Sequence, residues 1–562
     1  MTEIDLKAAP FHLGDDGVDW VEDALAAMMP AQKVGQVMCV YLLRPDVPEW
    51  IDGLRERGIE PGGVLMTMRT PEASARDTAA LQAAFPVPLM VAGNLESGSV
   101  NFLQGTEAFG NPMQIGATGD VEQARRLAVH CARAADAAGV NWAFAPVVDL
   151  AISPANPITN TRVFGRDPAL VRRLGAAYVR EMEERGIPTS PKHFPGDGAD
   201  DRDQHLVSSC NDLDEDEWDA QYGSVYREMI AAGARTIMVG HIRQRALSRA
   251  RVPGIADADV RPATLAPELL WGVLRERLGF NGMIVTDNSA MAGFTTMMPR
   301  AEGLPLALVA GNDMILGNTD VETDFEILCA AAGTERLPMA RLDDAVRRVL
   351  ATKASVGLHR STARRDAEAS DPQEEARWRA ELAAASITVT KNTAGILPVR
   401  DPRGRRALVY VVGDEPTFYD PTPPLAPRFV AGLRGRGMEV EVRTVPGSGA
   451  TVADAERLHE RFDLCVYFAD MRFGGNTNGF RVHWTPPQGP DLPRHVATLP
   501  TILVSIADPY LLQDMPMVKA AINGYTPTRD TVDAAVAVLF GEAEARGTAP
   551  SDPFAGRWDA AI

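Results

Sequence analysis

Residues 189–205 read TSPKHFPGDGADDRDQH. The stretch opens as a short apolar strand candidate, Thr189–Lys192, and turns into a loop dense in chemistry. From Lys192 to His205 it holds two histidines, four aspartates, a lysine, an arginine and two glycines. A strand that ends in a polar loop is the repeating sign to look for along the chain. Seven other short apolar runs share it: Val37–Leu43, Val64–Met68, Leu89–Ala92, Trp142–Ala145, Thr236–Gly240, Met283–Thr286 and Met314–Leu316. Between them lie helix-like segments such as 121–138, 169–185, 216–232 and 267–277. Buried parallel strands read as short apolar runs. Eight βα units predict a closed (β/α)8 TIM-type barrel, with a doubly wound open sheet as the competing architecture.

Downstream the pattern changes. Residues 359–385 are rich in Arg, Glu and Ala and read as a helical linker. Then come Ala407–Val412, Val440–Val445, Leu464–Phe468 and Ile502–Ile506 as strands and Asp530–Phe540 as an amphipathic helix. The expected organisation is an α/β chain: a catalytic barrel over 1–358, a linker over 359–385, and a smaller α/β (αβα) sandwich over 386–562.

Bulk properties exclude several classes. A net charge of −19 argues against a nucleic-acid surface. No run approaches a membrane span, and MTEIDLKAAPFHLGDDG lacks the basic and apolar regions of a signal peptide. The five cysteines are scattered, odd in number and free of CxxC spacing. They read as reduced thiols of a cytoplasmic protein.

In barrels the working residues follow the strands. GNLESG follows Leu89–Ala92, PVVD follows Trp142–Ala145, and His241 follows Thr236–Gly240. Asp287 follows Met283–Thr286 in GMIVTDNSAM. Asp287 is either a carboxylate at the barrel mouth or an N-cap. Retaining glycoside hydrolysis needs a carboxylate nucleophile and a separate proton donor. Histidine titrates near neutral pH, and a neighbouring carboxylate orients it and favours its charged form. Asp203 and His205 supply such a pair on one loop, where Gly196 and Gly198 permit a sharp turn. Lys192 and His193 sit at the strand end, placed to hold sugar hydroxyls. Two other readings of the loop stay open: a solvated charge run, or a metal site built from His193, Asp203 and His205. Against the metal, an adjacent lysine ammonium repels a cation.

KHFPGDG…DQH and GFNGMIVTDNSAM together resemble the two signatures of glycoside hydrolase family 3, most closely its β-N-acetylglucosaminidase branch. NTRVFGRDP (Asn160 to Pro168) is similar to a third family motif, NLESG to a fourth, and the tail YTPTRDTVDAAVAVLFGEAEARGTAP to the family's second domain. The resemblance implies Asp287 as nucleophile, His205 as acid and then base, Asp203 as its polarising partner, and Arg162, Lys192 and His193 as sugar-binding groups. It implies no metal or organic cofactor. Two departures stand out. Asn94 occupies the place of a sugar-binding aspartate, and Asp197 the place of a second histidine. The branch also carries Asp-Ser-His where this chain has Asp203-Gln204-His205.

The expected substrate is therefore a β-N-acetylglucosaminide or a β-glucoside. Inorganic phosphate is an alternative acceptor to water, because a histidine that has given up its proton is neutral and does not repel an anion. A sugar-binding protein on an inactive barrel is the reading from another class; the presence of Asp287, His205 and Asp203 together argues against it. In the second domain, RFGGNTNGFRVHW (Arg472 to Trp484) is expected either to contact an aglycone or to be a plain surface loop.

Overall fold

The computed structural model describes residues 4–43, 46–361, 369–417, 420–447, 451–472, 476–477 and 479–562. It divides into two compact units. The first comprises Met1–Thr106, Ala124–Leu150 and Val171–Ser370, and the second Glu107–Gln123, Ala151–Leu170 and Asp371–Ile562.

The first unit is a closed ring of parallel strands. Its regular members are β1 (Met38–Leu42), β2 (Gly63–Met66), β3 (Met90–Gly93), β4 (Trp142–Ala143), β5 (Thr236–Val239), β6 (Met283–Thr286) and β7 (Ile315–Leu316). One sheet runs β4-β3-β2-β1-β7, and β5 pairs with β6. Residues 189–194 fill the remaining place. Ala143 bridges Thr189, Val147 bridges Lys192, Phe194 bridges Val239, and Val285 bridges Met314. All of these pairings are parallel. The ring is the eight-stranded barrel expected from the sequence, and each of the eight apolar runs contributes one strand to it. The strand 189–194 pairs only through isolated bridges, because Pro191 and Pro195 lack the N–H groups a continuous ladder needs. The barrel interior is packed by Cys39, Leu65, Met90, Trp142, Met238, Met283, Val285 and Met314, all buried.

The second unit is built on a six-stranded sheet. Its spatial order is Thr388–Asn392, Ala520–Asn523, Thr501–Ser505, Leu464–Asp470, Arg406–Gly413 and Glu439–Val445. Only the first of these runs antiparallel. Alternate residues of Arg406–Gly413 face opposite cores: Ala407, Val409 and Val411 one, Leu408, Tyr410 and Val412 the other. The helix expected over 530–540 spans Arg529–Leu539. The stretch expected as a linker contains the helix Pro372–Ser386, whose Trp378 and Leu382 are buried. That helix packs on the short helix Pro112–Thr118. A Cβ on Gly110 would lie 2.5 Å from a Leu382 methyl carbon, so glycine permits the approach. Thus 107–123 and 151–170 group with the C-terminal residues rather than with the barrel. All five cysteines are free. Among the described residues no helix is long and apolar enough to cross a membrane.

Candidate active site

The carboxyl ends of the barrel strands bring six of the seven residues singled out from the sequence into one unit. Asp287 follows β6, and its main-chain N–H donates to Val239 O at 2.7 Å, which fixes the turn against β5. One carboxylate oxygen accepts the Asn288 N–H at 2.7 Å. The other lies 3.8 Å from His193 Nε2. The carboxylate thus faces a histidine and is not spent on capping a helix. Burial works to raise its pKa; the charges of His193, His241 and His205, with the Asn288 N–H, outweigh it. The net result is a carboxyl below its ordinary value, ionised at neutral pH.

His193 is held from behind. Its Nδ1 lies 2.7 Å from Asp149 Oδ2, and its main-chain N–H donates to Asp149 Oδ1 at 3.1 Å. A carboxylate only accepts, so Nδ1 carries the proton and Nε2 is turned toward Asp287. Asp149 also accepts the Asp197 N–H at 2.7 Å. It ends the PVVD segment after β4, and its acid-after-strand position was the available signal for a role the sequence left unassigned.

Lys192 Nζ lies 2.7 Å from Glu96 Oε1 and 3.4 Å from Asn94 Oδ1. Both charged side chains of that pair are buried, at 4% and 6% exposure. Glu96 lies in NLESG, another group whose partner the sequence did not disclose. Asn94 accepts from Lys192 through its oxygen, which leaves its NH2 as a donor that an aspartate lacks.

The loop after residue 194 carries the second dyad. His205 Nδ1 lies 2.7 Å from Asp203 Oδ1, and the same oxygen accepts the His205 N–H at 2.8 Å. The Asp203 side chain is fully buried, while the His205 ring is 26% exposed. Gly196 and Gly198 have φ of +122° and +93°. A Cβ on Gly196 would meet the Tyr222 ring at 2.1 Å. The two glycines therefore make a tight, packed turn.

His241 stands between the two histidine sites in the chain's hydrogen bonding. Its Nε2 donates to Asn288 O at 3.0 Å, and its Nδ1 meets Thr264 Oγ1 at 3.0 Å. A carbonyl cannot donate, so Nε2 carries the proton. Burial lowers its pKa, with Asp287 opposing, and the ring positions Asn288.

Arg162 belongs to the segment grouped with the second unit, where its guanidinium donates to Ile158 O at 3.0 Å. In Arg472–Trp484, residues 473–475 and 478 lie outside the described residues. Trp484 packs edge-on against Tyr467, ring centroids 6.3 Å apart. Among the described residues no group of three or more His, Cys, Asp or Glu is placed to hold a metal ion.

The chain as a whole is similar to known proteins. Residues 33–352 match the model of the glycosyl hydrolase family 3 N terminal domain. Over 564 residues and 99% of both chains, the sequence is 42% identical to a β-N-acetylglucosaminidase/β-glucosidase of Cellulomonas fimi. The fold superposes on the structure of a β-glucoside phosphorylase, BglX, with a TM-score of 0.91 and 35% identity over 99% of each chain. It is also similar to a family 3 β-N-acetylglucosaminidase from Paenibacillus sp. str. FPU-7. There the TM-score is 0.78 and the identity 25%, over 93% of this chain and 99% of that one.

Proposed function

The chain belongs to glycosyl hydrolase family 3, and on that premise we propose that it is a retaining, exo-acting β-N-acetylglucosaminidase. Asp287 attacks the anomeric carbon of the terminal sugar as His205 protonates the departing oxygen. The carbon–oxygen bond to the aglycone breaks and a glycosyl ester on Asp287 forms. His205, now neutral, takes a proton from water as that water attacks the same carbon and frees Asp287. Asp203 holds the His205 ring through Nδ1. Lys192, His193 and Asn94 bind the sugar, as does Arg162 by its place in the family motif. The observation that carries this reading is the pairing of an ionised, histidine-faced Asp287 with a partly exposed His205–Asp203 dyad.

A second reading has its own support. A donor that ends neutral after protonation does not repel an anionic acceptor, and the β-glucoside phosphorylase covers the whole chain at 35% identity. Phosphate could then replace water in the second step and yield a sugar 1-phosphate.

One experiment tests both. The protein is given an aryl β-N-acetylglucosaminide and, separately, the β-glucoside, with and without phosphate, and the sugar is followed by proton NMR. Free sugar released first as the β-anomer, indifferent to phosphate, supports the retaining hydrolase. A sugar 1-phosphate supports phosphorolysis, and turnover of the glucoside alone would move the specificity to glucose. No turnover and no covalent mass from a 2-fluoro sugar would overturn the enzyme reading.

A further inference from the structure

Two places where the loop departs from the family pattern touch each other. Asp197 stands where the branch has histidine and Gln204 where it has serine. The Gln204 Nε2 donates to Asp197 Oδ2 at 3.2 Å. The other end of the same amide, Oε1, accepts the His241 N–H at 2.8 Å. The amide orientation is fixed by chemistry, because a carboxylate can only accept and an N–H can only donate. Both side chains are buried, Asp197 at 2% and Gln204 at 0% exposure.

The tie extends at both ends. Asp197 is bound through its own N–H to Asp149, which holds His193. His241 holds Asn288, the neighbour of Asp287. The main chain around Gln204 is fastened as well: Gly293 N–H donates to Gln204 O at 3.2 Å and Ala292 N–H to His205 O at 3.0 Å. Two glycines make room for it. A Cβ on Gly240 would lie 3.1 Å from Gln204 Oε1, and one on Gly293 would lie 2.7 Å from Gln204 O.

From this network we infer that Asp197 and Gln204 are positioning residues forming a strap, which fixes the His205 loop against the loops that carry His193 and Asp287. The inference rests on the reading of His205 as the proton donor. A donor must come within about 2.6–3.2 Å of the leaving oxygen, and misplacement by about 1 Å can cost on the order of 10²-fold. The strap sets that placement before substrate arrives.

The test is a double-substitution cycle on Asp197→Ala and Gln204→Ala. It measures kcat/KM for a nitrophenyl glycoside, which needs little protonation, and for an alkyl glycoside, which needs it fully. Each single change should lower the alkyl rate by about 10²-fold and the nitrophenyl rate far less. The double variant should fall no further than Gln204→Ala alone, because the two residues act as one tie. Asp197→Asn, which keeps an acceptor for Gln204, should recover most of the loss. Should Gln204→Ala not fold, Gln204→Met fills the space without either bond and carries the same expectation. Losses that multiply in the double variant, or that are equal on both glycosides, would overturn the strap. His205→Ala is the reference. If it fails to separate the two glycosides, the donor assignment itself falls; if it separates them and the strap variants do not, only the strap falls.

Discussion

Substituting Asp149 by asparagine changes one heavy atom and should reach Asp287 through His193, by one hydrogen bond and one electrostatic contact. In the native site Asp149 Oδ1 accepts the main-chain N–H of His193 and Asp197, and Oδ2 meets His193 Nδ1 at 2.7 Å. Asparagine keeps an oxygen for the two main-chain donors but turns an NH2 toward Nδ1. Two donors cannot face each other, so His193 must give up its Nδ1 proton, and Nε2 becomes the protonated nitrogen. One charge-assisted hydrogen bond is lost in a fully buried place, which costs about 1.5–3 kcal/mol of stability. The electrostatic effect is separate. His193 Nε2 stands 3.8 Å from Asp287 Oδ2, where two full charges would interact by about 4 kcal/mol at an effective dielectric near 20. His193 is also the foremost of the charges that keep Asp287 low against its burial. Without the Asp149 carboxylate behind it, His193 holds a weaker positive field on Asp287, and Asp287 should rise. The nucleophile works only when ionised, so the acid limb of kcat/KM should move to higher pH, with the rate at neutral pH much less affected. The assay is the pH profile on a nitrophenyl glycoside, beside urea unfolding of the same variant. An acid limb that stays put while stability drops would refute the claim that His193 sets the charge state of Asp287.

Asp287→Ala should lose on the order of 10⁴-fold or more in kcat with little change in Tm, since its carboxylate makes one local hydrogen bond, to the Asn288 N–H, and a longer contact with His193; a substantial residual rate on every glycoside would remove it as nucleophile. Glu96→Ala should leave the buried Lys192 ammonium without its carboxylate and destabilise the fold by about 3–5 kcal/mol, measured by urea unfolding, and should raise KM; an unchanged midpoint would mean that Asn94 suffices. His495→Phe should stabilise the second unit by about 1–3 kcal/mol, because among the described residues both buried ring nitrogens of His495 have no partner and the ring is already stacked on Tyr467. Burial pushes His495 down to about 4, so the unfolded chain binds its proton first and stability falls as pH drops from about 6.5 toward 4. The phenylalanine variant should lose that part of the acid sensitivity, and a Tm-against-pH curve parallel to the parent would contradict it.

The barrel was legible because its strands are buried on both faces and so stand out as unbroken apolar runs. The strands of the second unit that the sequence did not disclose lack that signature. Thr388–Asn392 reads TVTKN at the antiparallel edge, with one exposed and two half-buried residues. Ala520–Asn523 is a four-residue AAIN run whose alanines carry little β signal. The segment 359–385 looked like a linker because Arg, Glu and Ala dominate it, and two apolar side chains, Trp378 and Leu382, settle its burial instead. In the candidate site, residue types at strand ends pointed to Asp287, Lys192, His193 and the Asp203–His205 pair. Their partners were hidden, since Asp149 and His193 are 44 residues apart and Glu96 meets Lys192 only across the barrel mouth. Spacing in sequence discloses a dyad only when both members ride on one loop.

The two histidine–aspartate dyads nonetheless show why a pairing does not by itself assign a role. Each has Nδ1 at 2.7 Å from a carboxylate whose side chain is fully buried. Their rings differ in exposure: 5% for His193 and 26% for His205. A ring closed off from solvent, with Nε2 turned to a carboxylate 3.8 Å away, is suited to hold a fixed field on that carboxylate and to present a donor to a sugar. It has no route for repeated proton exchange with an incoming acceptor. The His205 ring has that route, and its loop is tied in place by bonds to the Gln204 side chain, Gly293 and Ala292. On the proposed mechanism one geometry thus serves two purposes, and solvent access separates them: the enclosed dyad tunes the nucleophile, while the open one carries the proton.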